Sequence, residues 1–229
     1  RPGDVFMCPP GEPHQLINSG ATDLEVLIIA DNPPLDGFFY PDSNKWGLRP
    51  PGKYFRMNEV GYFDGEDTPG PGAPPYQPSP APAIPPLTPF ASRLARVDEL
   101  PWETWSSPKG KFRGSGRQLS VALGAKTNTP VGLGGDKCAS LGGHPFDLEL
   151  GQVAPGESPC VFHSHAAQWE CYLFLSGTGT VRTIDGLAPV AAGDVVLHPP
   201  GEAHQFSNTG TTDLLYYLVA DNPHVDYWH

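Results

Sequence analysis

Apolar side chains recur along these 229 residues in short runs rather than at helical spacing. GDVFM (3–7), LEVLIIA (24–30), FDLELGQV (146–153), CYLFL (171–175), TVRTI (180–184), GDVVL (193–197) and LLYYLVA (214–220) are rich in β-branched and aromatic residues. Gly, Pro, Asn and Asp separate them. Each run is too short for a globular helix and is bounded by turn formers, so the pattern predicts an all-β sandwich or barrel. Helix signal is thin: VDELPWETW (97–105) has room for one turn, which Pro101 limits. Residues 64–90 carry no spacing that could bury a face, and their proline content predicts an extended spacer.

One pattern occurs twice. Laid on 191–229, residues 1–39 align without a gap and about half the positions are identical, sharing GDV, PPGE, HQ, N.G, TDL and ADNP. Tandem copies of one domain account for this, with the first copy entering from its middle. The expected organisation is the C-terminal half of a first domain with its tail (1–63), a linker (64–90) and a second domain (91–229). The first residue is Arg1 and not Met, and both ends read as cuts through a longer protein.

Charge removes several partners. With 14 Lys and Arg against 25 Asp and Glu, a formal charge of −11 leaves no basic surface to displace counterions from nucleic acid. No stretch of 18 apolar residues could span a bilayer as a helix. The four cysteines, Cys8, Cys138, Cys160 and Cys171, show no CxxC spacing, which favours a reduced, cytoplasmic setting. A soluble protein is expected, with no nucleic-acid or membrane partner.

The chemistry concentrates in CVFHSHAAQWECYLFLSG (160–177). On an extended chain His163 and His165 point the same way, about 6.5–7 Å apart at Cα, and can converge on one ion. Glu170 follows a short polar turn on the returning strand. His204 re-enters a strand after the Pro199-Pro200-Gly201 turn and is the candidate fourth ligand. Three imidazoles and a carboxylate suit one divalent transition ion (Fe, Mn, Ni, Co, Zn or Cu), and donor type alone does not choose among them.

These residues are similar to the two signatures of the cupin superfamily. The first, G-x5-HxH-x3,4-E-x6-G, reads Gly156, His163, His165, Glu170, Gly177, with one extra residue before His163. The second, G-x5-PxG-x2-H-x3-N, is met by Gly193, Pro199, Gly201, His204 and Asn208, and again by Gly3, Pro9, Gly11, His14 and Asn18. VDELPWETW, FYPDSNKWG and YFDGED further resemble a largely uncharacterised group of tandem cupins (bicupins) with a YPDS-type tail. The resemblance implies a jelly-roll β-barrel with its metal inside the wide end, and homodimers through barrel edges. His14 holds the place of His204 in the first copy, but its HxH would lie before Arg1, so no complete first site is expected in this chain.

Around the ligands, His198 lines the pocket or orients a ligand if its strand runs regularly, with a structural histidine equally open. Gln168 and Tyr172 are candidate pocket residues. Arg182 is the cation that could hold a substrate carboxylate, though a solvated strand arginine is the commoner outcome. Cys171 falls on the opposite face from Glu170 and reads as a packed thiol; His144, His224 and His229 have no identifiable partners. A small-molecule ligand is implied. The first function expected is a dioxygenase-type oxidoreductase acting on a small oxygen-rich or aromatic molecule. The alternatives are a metal-dependent sugar isomerase or epimerase, and a non-catalytic metal or small-molecule binding or storage protein.

Overall fold

The computed structural model describes residues 1–31, 33–58, 60–61, 89–124 and 146–221. The chain divides into two compact units, one of Arg1–Met7 with Thr88–His229 and one of Cys8–Leu87. The strands in chain order are β1 (Val5–Phe6), β2 (Asp36–Tyr40), β3 (Lys45–Arg49), β4 (Lys53–Phe55), β5 (Leu94–Ala95), β6 (Glu103–Ser106) and β7 (Arg113–Gln118). They continue with β8 (Phe146–Val153), β9 (Glu170–Ser176), β10 (Thr178–Thr183), β11 (Gly186–Ala191), β12 (Val195–His198), β13 (His204–Ser207) and β14 (Leu214–Asp221). One helical turn, α1 (Leu119–Ala122), follows β7. The turn expected in VDELPWETW is present as 3-10 backbone at Val97–Glu99, after which the chain extends into β6.

In the larger unit a six-stranded sheet in the order β12-β9-β14-β8-β7-β6 faces a three-stranded sheet, β11-β10-β13, and every pairing is antiparallel. This is the jelly-roll arrangement. Alternation along each strand sends one set of residues inward: Val153, Tyr172, Phe174, Leu214 and Tyr216 from one sheet meet Val181, Val190 and Phe206 from the other. Burying each large apolar side chain stabilises the barrel by about 1.5–3 kcal/mol. Gly151 makes room for that core, since a Cβ there would stand 2.1 Å from Cζ of Tyr216.

The outer face of β8 has a second apolar layer. Ala95, Val97, Leu119 and Leu123 pack on Leu150, with Val5 and Met7 joining from the N-terminus. Pairing of β1 with β5 and the salt bridge from Asp4 to Arg96 hold this layer down. No helix among the described residues is long and apolar enough to cross a membrane.

The smaller unit contains the sheet β2-β3-β4. Its first turn is 3-10 backbone at Pro41–Ser43 closed by Asn44 in the left-handed region. Ahead of this sheet, LEVLIIA forms no strand, against the sequence expectation. Its counterpart β14 is hydrogen-bonded on both sides, to β8 and β9. Residues 24–30 have no ladder partner among the described residues, and Ile28 is 82% exposed. An apolar run becomes a strand only when its backbone groups are paired.

The repeated loop, in contrast, keeps its local form. In residues 9–22, Glu12 N donates to Pro9 O (3.3 Å), His14 Nδ1 to Glu12 O (2.9 Å), Gly20 N to Asn18 Oδ1 (3.0 Å) and Asn18 Nδ2 to Thr22 O (2.8 Å). Residues 199–212 make the same four bonds at 3.1, 3.0, 2.9 and 2.8 Å. Gly11 and Gly201 both adopt positive φ, 81° and 86°, which a side chain would strain.

Candidate metal centre

His163, His165, Glu170 and His204 meet at one end of the barrel interior. One donor atom from each lies within 4.8 Å of all the others. Three stretches of chain bring them together. Glu170 opens β9 facing inward, and His204 opens β13 facing inward. The HxH segment is extended but joins β13 through a single residue pair: His163 N donates to His204 O (3.1 Å) and His204 N to His163 O (2.7 Å). Gly201 N donates to His165 O at 2.7 Å, tying the Pro-Pro-Gly turn to the second histidine.

Hydrogen bonds fix which ring nitrogens carry protons. A backbone carbonyl can only accept, so Nδ1 of His204, 3.0 Å from Glu202 O, and Nδ1 of His163, 2.8 Å from Val161 O, are the protonated nitrogens. In the neutral rings the Nε2 lone pairs are then left for the centre. Burial lowers the pKa of His163, which keeps that ring neutral. Burial alone would raise the pKa of Glu170, but its polar neighbours His165, His204 and the Tyr172 hydroxyl outweigh that and hold it well below the usual range, so the carboxylate is ionised. Its Oε1 lies 3.3 Å from His165 Nε2 and its Oε2 lies 2.9 Å from His204 Nε2.

A lone pair and a carboxylate oxygen at that separation repel unless positive charge stands with them. A divalent ion supplies it to all four donors together. Two donors at about 2.1 Å from one ion stand at most about 4.2 Å apart, so the set would close by about half an ångström around a metal. The donor types, tautomers and spacing therefore fit a first-row transition ion.

The neighbours place the remaining sequence candidates. Tyr172 is buried below the cluster, its hydroxyl donating to Glu170 Oε2 at 2.8 Å. Burial, and next the Glu170 charge, raise its pKa well above normal, so it stays a donor. His198 faces inward opposite Glu170. Its ring stacks on His204 at 4.0 Å and 9°, and its Nδ1 is 2.7 Å from Glu202 Oε2. It thus lies against a ligand; burial lowers its pKa. Gln168 is buried away from any opening, with its Nε2 donating to Asp221 O at 2.6 Å, where it ties the HxH-to-β9 turn to the end of β14. Cys171 falls on the opposite face from Glu170.

Arg182 is on the wrong face for a role beside the ligands. Thr183 is the residue paired with His204, whereas Arg182 pairs with Gln205, and alternation puts that pair outside the barrel. Its guanidinium stacks on Phe162 at 4.2 Å. Glu202 was not a sequence candidate, yet it binds His204 through its carbonyl and His198 through its carboxylate. Its place two residues before a ligand, in a turn that repeats at Glu12, was the available signal. His14 bonds locally to Glu12 O and is exposed. His144, His224, His229, Cys138, most of the spacer and the YFDGED segment lie outside the described residues.

Residues 149–220 match the family model described as Cupin domain. The matched segment contains all four candidate ligands. An oxalate-binding protein of Thermotoga maritima is 37% identical over 68 residues, which is 30% of this chain and 55% of the relative. The chain thus spans about half the length of that curated relative. Among solved structures, a predicted oxalate decarboxylase from Thermotoga maritima aligns at 24% identity with a TM-score of 0.41, covering 56% of this chain and 96% of the other. A cupin-superfamily sugar phosphate isomerase from Silicibacter pomeroyi aligns at 20% identity with a TM-score of 0.42, covering 55% and 73%.

Proposed function

We propose that the chain is a metal-dependent cupin that captures a small oxygen-rich molecule at His163, His165, Glu170 and His204. The observation that carries this is the convergence of their donors with Nδ1 of His163 and His204 already committed to backbone carbonyls. A bound ion with open positions would polarise a ligand oxygen or, if redox-active, support dioxygen chemistry. The protein's own part is to hold the ligands in one tautomer, to keep Glu170 ionised through Tyr172, and to brace His204 with His198 and Glu202. Within the described contacts of the cluster no Lys or Arg appears, so a ligand's negative charge would be met by the ion itself.

Dioxygenase-type oxidation of such a ligand is the first reading. Binding without turnover is the second, favoured by the description of the Thermotoga relative as oxalate-binding. A sugar phosphate substrate, whose phosphate would call for several Lys or Arg beside the ligands, is disfavoured because Arg182 lies on the outer face. The repeated loop supports a tandem arrangement, and we include a homodimer in the same reading. Protein loaded with iron, manganese or copper and supplied with oxalate or a catechol decides among these: aerobic loss of the compound that stops under anoxia or with chelator supports oxidation. Metal-dependent binding with the ligand unchanged selects the second reading, and no metal-dependent binding of either compound refutes both.

A further inference from the structure

The displaced Arg182 leads to a second site. On the outside of the barrel an open cleft of about 500 Å³ is lined by Lys111, Phe112, Ser158, Phe162, Arg182 and Gln205, among others. Its size is within the roughly 300–1,000 Å³ usual for small-molecule sites. Three segments form it: the β6–β7 loop, the loop after β8, and the outward residues of β10 and β13.

Its walls are cross-linked. Phe112 O accepts from Ser107 N (2.8 Å), and Phe112 N donates to Ser107 Oγ (3.0 Å), closing the first loop. Arg113 N donates to Ser158 O at 3.1 Å and its guanidinium reaches Glu157 at 3.1 Å, joining the first loop to the second. Gln205 Nε2 donates to Cys160 O at 2.7 Å, joining the second loop to β13.

Charge in the cleft runs against the chain as a whole. The protein carries a formal −11, yet Lys111 and Arg182 both line this one cleft and neither is in an ion pair among the described residues. Glu157, the acid on the adjoining loop, is taken by Arg113. Each cation instead rests on a ring: Arg182 Cζ is 4.2 Å from the Phe162 centroid and Lys111 Nζ is 5.2 Å from that of Phe112. A guanidinium stacked by its face keeps its N–H edge open for a carboxylate, and a lysine ammonium adds a second point charge. The rings and the Gln205 side chain supply flat apolar and amide surface between them.

We propose that this outer cleft binds a small aromatic dicarboxylate, one carboxylate on Arg182 and the other on Lys111, separately from the metal centre. The two sites are back to back, because Phe162 precedes His163 and Gln205 follows His204 along the chain. The test is calorimetric titration of the metal-loaded protein with phthalate at low ionic strength, with benzoate and inorganic phosphate as comparisons. Phthalate should bind one per chain, and Arg182→Gln and Lys111→Gln should each weaken it about tenfold or more. Benzoate should bind at least tenfold more weakly, and His163→Ala should leave phthalate binding unchanged. Absence of phthalate binding, glutamine variants that bind phthalate as tightly as the parent, loss only in His163→Ala, or phosphate binding as tight as phthalate would each overturn the assignment.

Discussion

Replacing Tyr172 by Phe removes one hydroxyl and keeps the ring. That ring is packed at 5.0 Å from Phe206 and 5.8 Å from Tyr216, centroid to centroid, so the core around it survives. What goes is the 2.8 Å bond to Glu170 Oε2, made between two buried groups. A hydrogen bond to a charged acceptor contributes about 1.5–3 kcal/mol. Glu170 keeps its imidazole neighbours, so the carboxylate is loosened and not stranded. Groups that orient a metal ligand typically cost about 10–100-fold in affinity when removed, which at 1.36 kcal/mol per tenfold falls in the same range. The assay is competition for Zn²⁺ or Mn²⁺ against a calibrated chelator at pH 7.5, with thermal unfolding of the metal-free protein alongside. The expected result is tenfold or greater weakening with a cooperative melt retained. Affinity within twofold of the parent would refute the assignment of Tyr172 as the group that fixes Glu170.

Other expectations concern the core and acid. Gly151→Ala places a Cβ 2.1 Å from the Tyr216 ring, and overpacking of this kind should cost about 1–3 kcal/mol in denaturant unfolding; an unchanged midpoint would contradict the packing described. Acidification should act in one direction on the metal-free protein. His163 and His198 have folded pKa values depressed below the ordinary 6.5, so the unfolded chain binds more protons as pH falls through that value and stability declines. Glu170, with its pKa lowered from 4.5, stabilises the fold above that value and withdraws its contribution at still lower pH. Melting temperatures should therefore hold between pH 7 and 8 and fall steadily below about 6.5; a rise on acidification would contradict the burial of these groups.

The parts of the fold legible in the sequence were the short apolar runs bounded by turn formers, with TVRTI and GDVVL contributing to β10 and β12. FDLELGQV, CYLFL and LLYYLVA became β8, β9 and β14, adjacent strands of the large sheet. β7 was missed because it reads RGSGRQ. Its glycines sit where neighbouring side chains cross the strand, and a Cβ at Gly116 would stand 2.4 Å from Glu149 Oε1. LEVLIIA was overread for the opposite reason, since hydrophobicity does not reveal whether a neighbouring strand exists. The four candidate ligands were singled out by their match to the two motif spacings, and the fold brings one donor from each within 4.8 Å of the others. The sequence left Arg182 open between a pocket cation and a solvated strand arginine, because strand parity depends on whether His204 pairs with position 182 or 183, and no single-strand pattern contains that register. Glu202 escaped because it acts on His198 across the turn, a contact that exists only once the Pro-Pro-Gly chain has folded.

If His163, His165, Glu170 and His204 together hold one cation, elemental analysis of protein purified without added metal will detect it. The parent should carry about one transition-metal ion per chain. His204→Ala, checked for folding by circular dichroism, should lose most of it and fail to regain it on reconstitution. A parent chain that takes up no such ion even when supplied, or a His204→Ala variant that retains full stoichiometry, would contradict the claim.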